Sequence, residues 1–416
     1  MASDMVVALA RATQDGFTFF GHNANAHSGE TPTLVGTPGS EFAPGDVVEL
    51  SHLRLPQPRH TFAVLAARLG HERGYPHGVN ARGVAIGCTP IATRCPTTEA
   101  GLSGPELVRL VLERAASAHQ AVELLTDLIG RHGQDARGDH AFLLADAGEA
   151  YLVEAAGRHW VLGQIGSVRA AGGMCLLRQD WDRISRGLSD LAIARGWWPA
   201  DGRKLDFAAA VGQAGADHAA AFRRWGQATL RLEQHHGGID GGFVQRLLAD
   251  LATAAAPLDA AAPAEVQTAG SLIVRLGPTA DALPVAWYAF GTPEASVYLP
   301  ALPGVELPLG YGDGAASRIG RLLARWQDDA RRDPAWRAAL HAMLNRLQGQ
   351  LDDHLHEFLP EATALHRRGQ AEALQRVAGA FLQHCAERFD DAAARLAPDA
   401  AEAAGEPVDD LAGAAF

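Results

Sequence analysis

The chain has 416 residues, 47% of them apolar, enough for a large core and long for a single domain. Its formal net charge of −12 argues against binding the phosphate backbone of nucleic acid. No basic segment followed by an apolar stretch opens it, and no apolar run nears about 18 residues, so a soluble, cytoplasmic protein without a membrane span is expected.

Met5 to Leu9 is an apolar run of strand length, and Phe17 to Phe20 is aromatic and β-branched. Between them Asp15-Gly16 is a hairpin signal, because glycine tolerates the positive φ of a tight primed turn. The opening therefore reads strand, turn, strand. A small hydroxyl residue, Ser3, stands at its start, and His22, Asn23 and Asn25 end the second strand. Ala26 to Pro44, rich in Gly, Pro, Ser and Thr, reads as a loop. Val47 to Leu55 and His60 to Ala67 read as strands parted by Pro56-Gln57-Pro58. Asn80 and Gly83 then make a turn before a buried strand, Val84 to Gly87, which Cys88-Thr89-Pro90 follows.

Glu106 to Ala116 and His119 to Gly130 carry apolar residues at helical spacing, with Ser103 and Glu106 forming a capping box for the first. Three short strands follow, His140 to Ala145, Ala150 to Ala155 and Trp160 to Gln164, with glycine turns at Gly148 and Gly157. Asp182 to Arg195 reads as a helix stopped by Gly196. Ala219 to Gln234 and Phe243 to Ala255 are further helices, the Ala/Pro run Ala254 to Pro263 a flexible connector, and Val266 to Leu276 with Val285 to Phe290 a strand pair. From about Gly314 the pattern turns helical: Ile319 to Leu351 and Ala364 to Leu396, with Pro360 near the turn between them, predict an antiparallel hairpin. The Ala-, Glu- and Asp-rich end reads as disordered.

The opening, together with Gly78-Val79-Asn80, Gly196-Trp197-Trp198 and Gly291-Thr292-Pro293, resembles the secernin and C69 dipeptidase-like group of N-terminal-nucleophile hydrolases. Penicillin V acylases and bile-salt hydrolases are more distant relatives of that group. Its members begin Cys-Asp-x-x-Val-Ala-Leu, then Ala-Thr-x-Asp-Gly, then Phe-Gly-(Lys/Arg)-Asn-Ser. Ser3 stands where the family has Cys, His22 where it has Lys or Arg, and Asn25 where the acylase relatives have Asp. Relatives also place a polar Ser-Asn pair where this chain has Gly172-Gly173, and the segment at Cys88-Thr89-Pro90, which helps form their oxyanion hole, has no Asn here. The likeness covers about residues 3 to 300. The order of elements alone gives a mixed α and β fold. The resemblance implies an α+β fold, a four-layer αββα sandwich of mainly antiparallel sheets. It would occupy residues 1–312, followed by the helical hairpin at 313–396 and a disordered tail at 397–416.

The resemblance also implies a chemistry. A hydroxyl is a weak nucleophile and needs a base; in this arrangement the base is the α-amino group of the nucleophile itself, with an ordinary pKa of about 7.7–8.0. Ser3 can act so once Met1 and Ala2 are removed. Ser3, His22, Asn23 and Asn25 are the candidate catalytic residues, and Asn80, Cys88 and Thr89 the candidates for substrate or oxyanion contact. The expected activity is hydrolysis of a linear amide in a small peptide or N-acyl amino acid. A catalytically inactive binding or scaffolding relative, and an acyltransferase on the same fold, are the alternatives, and homo-oligomerisation is left open.

Cys88, Cys95, Cys175 and Cys385 fit neither a zinc motif nor a disulfide framework. His354 and His356, two apart on a helix, point apart, so no metal site is expected. No phosphate-binding glycine loop appears, so no cofactor is expected either.

Overall fold

The computed structural model describes residues 3–27, 30–70, 72–96, 100–213, 218–257, 265–279, 282–312 and 317–396. Met1, Ala2, most of the Ala/Pro connector and the expected disordered tail lie outside the described residues. The first half of the chain carries β1 (Asp4–Ala8), β2 (Thr18–His27), β3 (Thr33–Thr37), β4 (Val47–Glu49), β5 (Arg54–Pro56), β6 (Val64–Arg68), β7 (His77–Asn80) and β8 (Ala85–Ile91). Helices α1 (Gly104–Arg114) and α2 (Ala118–His132) follow, then β9 (Asp139–Ala145), β10 (Ala150–Ala156), β11 (His159–Gln164), β12 (Val168–Ala171) and β13 (Arg183–Ile184). Four helices come next, α3 (Leu188–Ala194), α4 (Phe207–Val211), α5 (Ala219–Gln234) and α6 (Gly241–Ala255). The strands β14 (Val266–Leu276), β15 (Val285–Phe290) and β16 (Leu299–Ala301) and the helices α7 (Arg318–Arg332), α8 (Pro334–Arg367) and α9 (Ala371–Leu396) complete the set.

Two sheets dominate, one of six strands in the order β12-β1-β2-β14-β15-β16 and one of eight in the order β13-β11-β10-β9-β8-β7-β6-β3. The pairings within both are antiparallel. Helices α5 and α6 cover the outer face of the first sheet, and α1 and α2 that of the second. The chain is thus an α+β fold layered αββα, as expected. Alternation along each strand assigns the faces. Met5 and Val7 of β1 and Phe20 of β2 join Ala141 and Leu143 of β9 in the core between the sheets. Phe142 and Leu144 of β9 turn instead to the core under α1 and α2, with Leu107 and Val111. Burying side chains of this size contributes roughly 1.5–3 kcal/mol each.

The local signals act as expected at α1. Ser103 Oγ accepts from Glu106 N at 3.2 Å, and Glu106 Oε2 accepts from Ser103 N at 3.1 Å. Elsewhere the structure departs from the sequence reading. Asp15-Gly16 does not close a two-residue hairpin, because Ala10–Ala12 form a 3-10 turn before it and lengthen the connection, although Gly16 does take a positive φ of 74°. Val47 to Leu55 is no single strand; it folds back on itself as the β4–β5 hairpin. Only Leu188–Ala194 of the expected helix at Asp182 to Arg195 is helical, and the residues before it are drawn into the second sheet as β13.

The C-terminal segment is three helices instead of two. Asp333 caps α8, accepting from the backbone nitrogens of Ala335 and Trp336, and Pro334 starts that helix, so the first long pattern breaks there. Pro360 lies inside α8, and the turn comes at Gly369, whose φ is 66°. Leu322, Leu323, Trp326, Leu340 and Leu347 are all buried, in a core continuous with that between the sheets. Among the described residues no helix is long and apolar enough to cross a membrane, and no three His, Cys, Asp or Glu side chains are grouped so as to hold a metal.

Candidate active site

Ser3 leads into β1, an interior strand of the six-stranded sheet, and is buried. Its backbone nitrogen donates to Thr89 Oγ1 of β8 at 2.8 Å, a bond that crosses from one sheet to the other. Its hydroxyl oxygen accepts from the backbone nitrogen of Asn25 at 3.1 Å. Asn25 is fixed in turn by Thr268 of β14, whose hydroxyl donates to Asn25 Oδ1 at 2.9 Å, so Nδ2 is the donor end of that side chain. The next residue, Asp4, turns to the helical layer, where Arg224 Nε of α5 donates to its two oxygens at 3.0 and 3.1 Å. Burial pushes the Asp4 carboxyl up to about 6, against the pull of Arg224.

Ser3 and Asn25 form part of the wall of a cavity of about 190 Å³. Cys88 and Pro90 of β8, Ser103 and Pro105 at the start of α1, and His140 of β9 line it as well, with Glu72 and Arg137 from two loops. Burial, then the charge of Glu72, raises the Cys88 thiol, which makes it a neutral wall. Burial holds His140 at about 4, so its imidazole is neutral near pH 7. Gln134 fixes its tautomer: Gln134 Nε2 donates to Asp139 Oδ1 at 3.0 Å, so its Oε1 accepts from His140 Nδ1 at 3.2 Å. A side chain at position 104 would overlap the His140 ring, so Gly104 is what lets the imidazole sit there.

The structure brings Ser3, Asn25, Cys88 and Thr89 together and places the other expected site residues elsewhere. His22 points between the sheets, where Gly87 leaves room for it, and its Nδ1 lies 2.6 Å from Nδ1 of His77. Burial lowers His22 to about 3 and lowers His77 as well. Asn23, one residue along β2, faces the opposite way and donates to Leu248 O of α6 at 2.8 Å. Asn80 donates to Leu112 O and Ala115 O, both at 2.8 Å, and accepts from the nitrogens of Arg82 and Val84, so turn and helix bonds engage its amide. Of the two glycines at the expected polar pair, Gly172 lies beside Ser3. A side chain at Gly172 would come within 3.8 Å of Ser3 O and of an Asp4 oxygen.

Glu72, Arg137 and His140 were not singled out in the sequence. A weak signal existed for one of them: Asp135 and Arg137, two apart in a polar loop, are spaced for the local ion pair they form at 2.8 Å.

Residues 46–169 match the family model described as acyl-coenzyme A:6-aminopenicillanic acid acyl-transferase. Among solved structures, a C2A mutant of conjugated bile acid hydrolase from Clostridium perfringens aligns at 13% identity over 73% of this chain and 92% of that one, with a TM-score of 0.44. Penicillin V acylase from Agrobacterium tumefaciens aligns at 12% identity over 72% and 86%, with a TM-score of 0.43. The Caenorhabditis elegans ortholog of N-acylethanolamine-hydrolyzing acid amidase aligns at 9% identity over 65% and 91%, with a TM-score of 0.35.

Proposed function

We propose that this chain is an amide-cleaving acyl-transfer enzyme with Ser3 as its nucleophile, cutting a linear amide in a small peptide or N-acyl amino acid. The observation that carries the reading is the grip on Ser3: its nitrogen on Thr89, its Oγ on the Asn25 nitrogen, and the cavity beside it. In this reading Met1 and Ala2 are removed, and the freed α-amine, held by Thr89 Oγ1, is the base. Ser3 Oγ bonds to the substrate carbonyl carbon and passes its proton to that amine. Asn25 donates to the resulting oxyanion. The C–N bond then breaks, the departing nitrogen takes the proton, and a seryl ester remains. Water attacking the ester gives hydrolysis; an amine attacking it gives acyl transfer.

The family-model match favours the second outcome as the alternative, since the matched family is named for transfer to an amine. The secernin-like and dipeptidase assignment rests on the sequence motifs. A non-catalytic relative would keep the cavity and leave Ala2 in place.

The test is the mass of the purified N-terminus together with turnover of dipeptides and N-acyl amino acids. A chain beginning at Ser3, activity abolished by Ser3→Ala and kept in part by Ser3→Cys is the expected result. Equal turnover by Ser3→Ala, or no turnover with Ala2 retained in every variant, overturns the proposal.

A further inference from the structure

The cavity beside Ser3 has one guanidinium among its described lining residues, that of Arg137. Arg137 lies between α2 and β9 and is tied to Asp135 at two points. Its backbone nitrogen donates to Oδ1 at 3.0 Å and its Nε to Oδ2 at 2.8 Å. Asp135 is itself fully buried, so the anchor is set by the fold. That anchor occupies the inner nitrogen and leaves the outer pair. Nη1 is 3.8 Å from Glu72 and Nη2 is 3.9 Å from Glu106, both beyond hydrogen-bond reach. Glu106 is committed elsewhere, accepting from Ser51 N at 2.6 Å and from the nitrogen and hydroxyl of Ser103 at 3.1 Å. Among the described residues, then, the outer nitrogens of Arg137 make no hydrogen bond, and its side chain is 46% exposed.

A guanidinium pinned through Nε and open at both Nη atoms offers a planar fork, and that fork matches the two oxygens of a carboxylate. We infer that Arg137 binds a free carboxylate of the ligand, so that the cavity selects amides carrying an acid group, such as N-acyl amino acids and dipeptides, over neutral amides. The inference rests on reading the Ser3 cavity as the substrate site. Within it Arg137 is a specificity-determining residue and Glu72 its competitor, because the Glu72 carboxylate stands where the ligand's would be drawn.

The test is calorimetric binding to the full chain carrying Ser3→Ala, so that no ligand is consumed. The probes are N-acetyl-L-alanine and L-alanyl-L-alanine, each beside its C-terminal carboxamide. Each acid is expected to bind at least about tenfold tighter than its amide. Adding Arg137→Gln should weaken the acids about 10- to 100-fold and leave the amides unchanged, and Glu72→Gln should tighten the acids. Melting temperatures recorded for each variant separate lost binding from lost folding, and Arg137→Lys, which keeps the charge without the fork, should fall between the two. Equal affinity for acid and amide, acid binding indifferent to Arg137→Gln, or no binding of either probe overturns the inference. Because nothing here depends on turnover, acids that bind through Arg137 to a protein that never cleaves them would leave this site standing and sink the amidase reading alone.

Discussion

The backbone nitrogen of Ser3 and the hydroxyl of Thr89, 86 residues apart, meet at 2.8 Å across the gap between the two sheets. Ser3 is thereby placed by both sheets at once: β1 carries it, and β8 sets where its nitrogen lies. Thr89→Val keeps the shape and removes the acceptor. A buried N–H left without a partner costs about 1–3 kcal/mol, and that loss should appear in urea unfolding. Thr89→Ser should restore most of it. Turnover should fall in Thr89→Val and return in Thr89→Ser, since the same oxygen would orient the Ser3 amine. Unchanged stability in Thr89→Val would mean that the contact holds nothing.

Asp4 and Arg224 form a buried pair next to Ser3, with side chains 6% and 9% exposed. Removing Arg224 leaves a buried carboxylate alone, so Arg224→Met should destabilise by about 3–5 kcal/mol, and Asp4→Asn should rescue part of that loss. The pH dependence has a definite sign. The folded pKa of Asp4, about 6, lies above its unfolded value of about 3.9, so the folded state holds the proton more tightly. The contribution is present below about pH 3.9 and is lost as pH rises through about 6; it amounts to at most about 3 kcal/mol. Urea midpoints of the wild type and Asp4→Asn should therefore diverge over that window. A constant offset between them would show that Asp4 has the same pKa folded and unfolded.

His22 and His77 act in the opposite direction. Both are fully buried, and at 2.6 Å between their Nδ1 atoms one must donate and the other accept; burial disfavours the charged form of each, and in the neutral pair the tautomers are opposed. Their folded pKa values are depressed, that of His22 to about 3. Their contribution is therefore complete above the unfolded value of about 6.5 and is lost as pH falls toward the folded one. Each histidine adds a slope of up to about 1.4 kcal/mol per pH unit. His22→Gln should remove about half of the combined slope between pH 6 and pH 4, measured by denaturant unfolding at each pH. An identical slope in the variant would show that these imidazoles are not what drives acid unfolding.

The elements that were legible in the sequence are those whose cause is local. The capping box at Ser103 and Glu106 lies within four residues, and Val266 to Leu276 is a strand by composition alone. The edge strand β12 was missed, because Val168–Ala171 becomes a strand only by pairing with β1. Pro360 suggested a turn, yet the break came at Asp333-Pro334, where a cap and a proline coincide, a stronger stop than a proline alone. The site divides in the same way. That Ser3 and Asn25 meet was readable because both lie at the same end of one hairpin. His140 and Arg137 reach the cavity from the start of β9 and the loop before it, and no spacing announces that. His22 and Asn23 were expected beside Ser3 from nearness along the chain, but strand alternation sends the first between the sheets and the second to α6.

The last prediction concerns the helices behind the sheets. Trp326 of α7 is 2% exposed, stacks on Phe389 of α9 at 6.1 Å between ring centres, and meets the ring of Trp336 edge-on at 6.4 Å. The next residue along α7, Gln327, donates to Ala295 O at 3.2 Å, which ties the helix to the turn after β15. Trp326 therefore stands where three helices close on the body of the fold, and Trp326→Ala should cost about 3–5 kcal/mol through lost contact and the cavity left behind. Trp326→Phe should cost far less than its lost volume implies. Among the described residues Trp326 Nε1 is buried without an acceptor, and phenylalanine removes that unpaired donor while keeping an aromatic ring against Phe389. The two variants bracket the claim in one chemical-denaturation series. If Trp326→Phe loses as much as Trp326→Ala, the indole nitrogen has a partner in solution. If neither loses stability, α7 to α9 fold apart from the sheets, and the continuous core between them does not form.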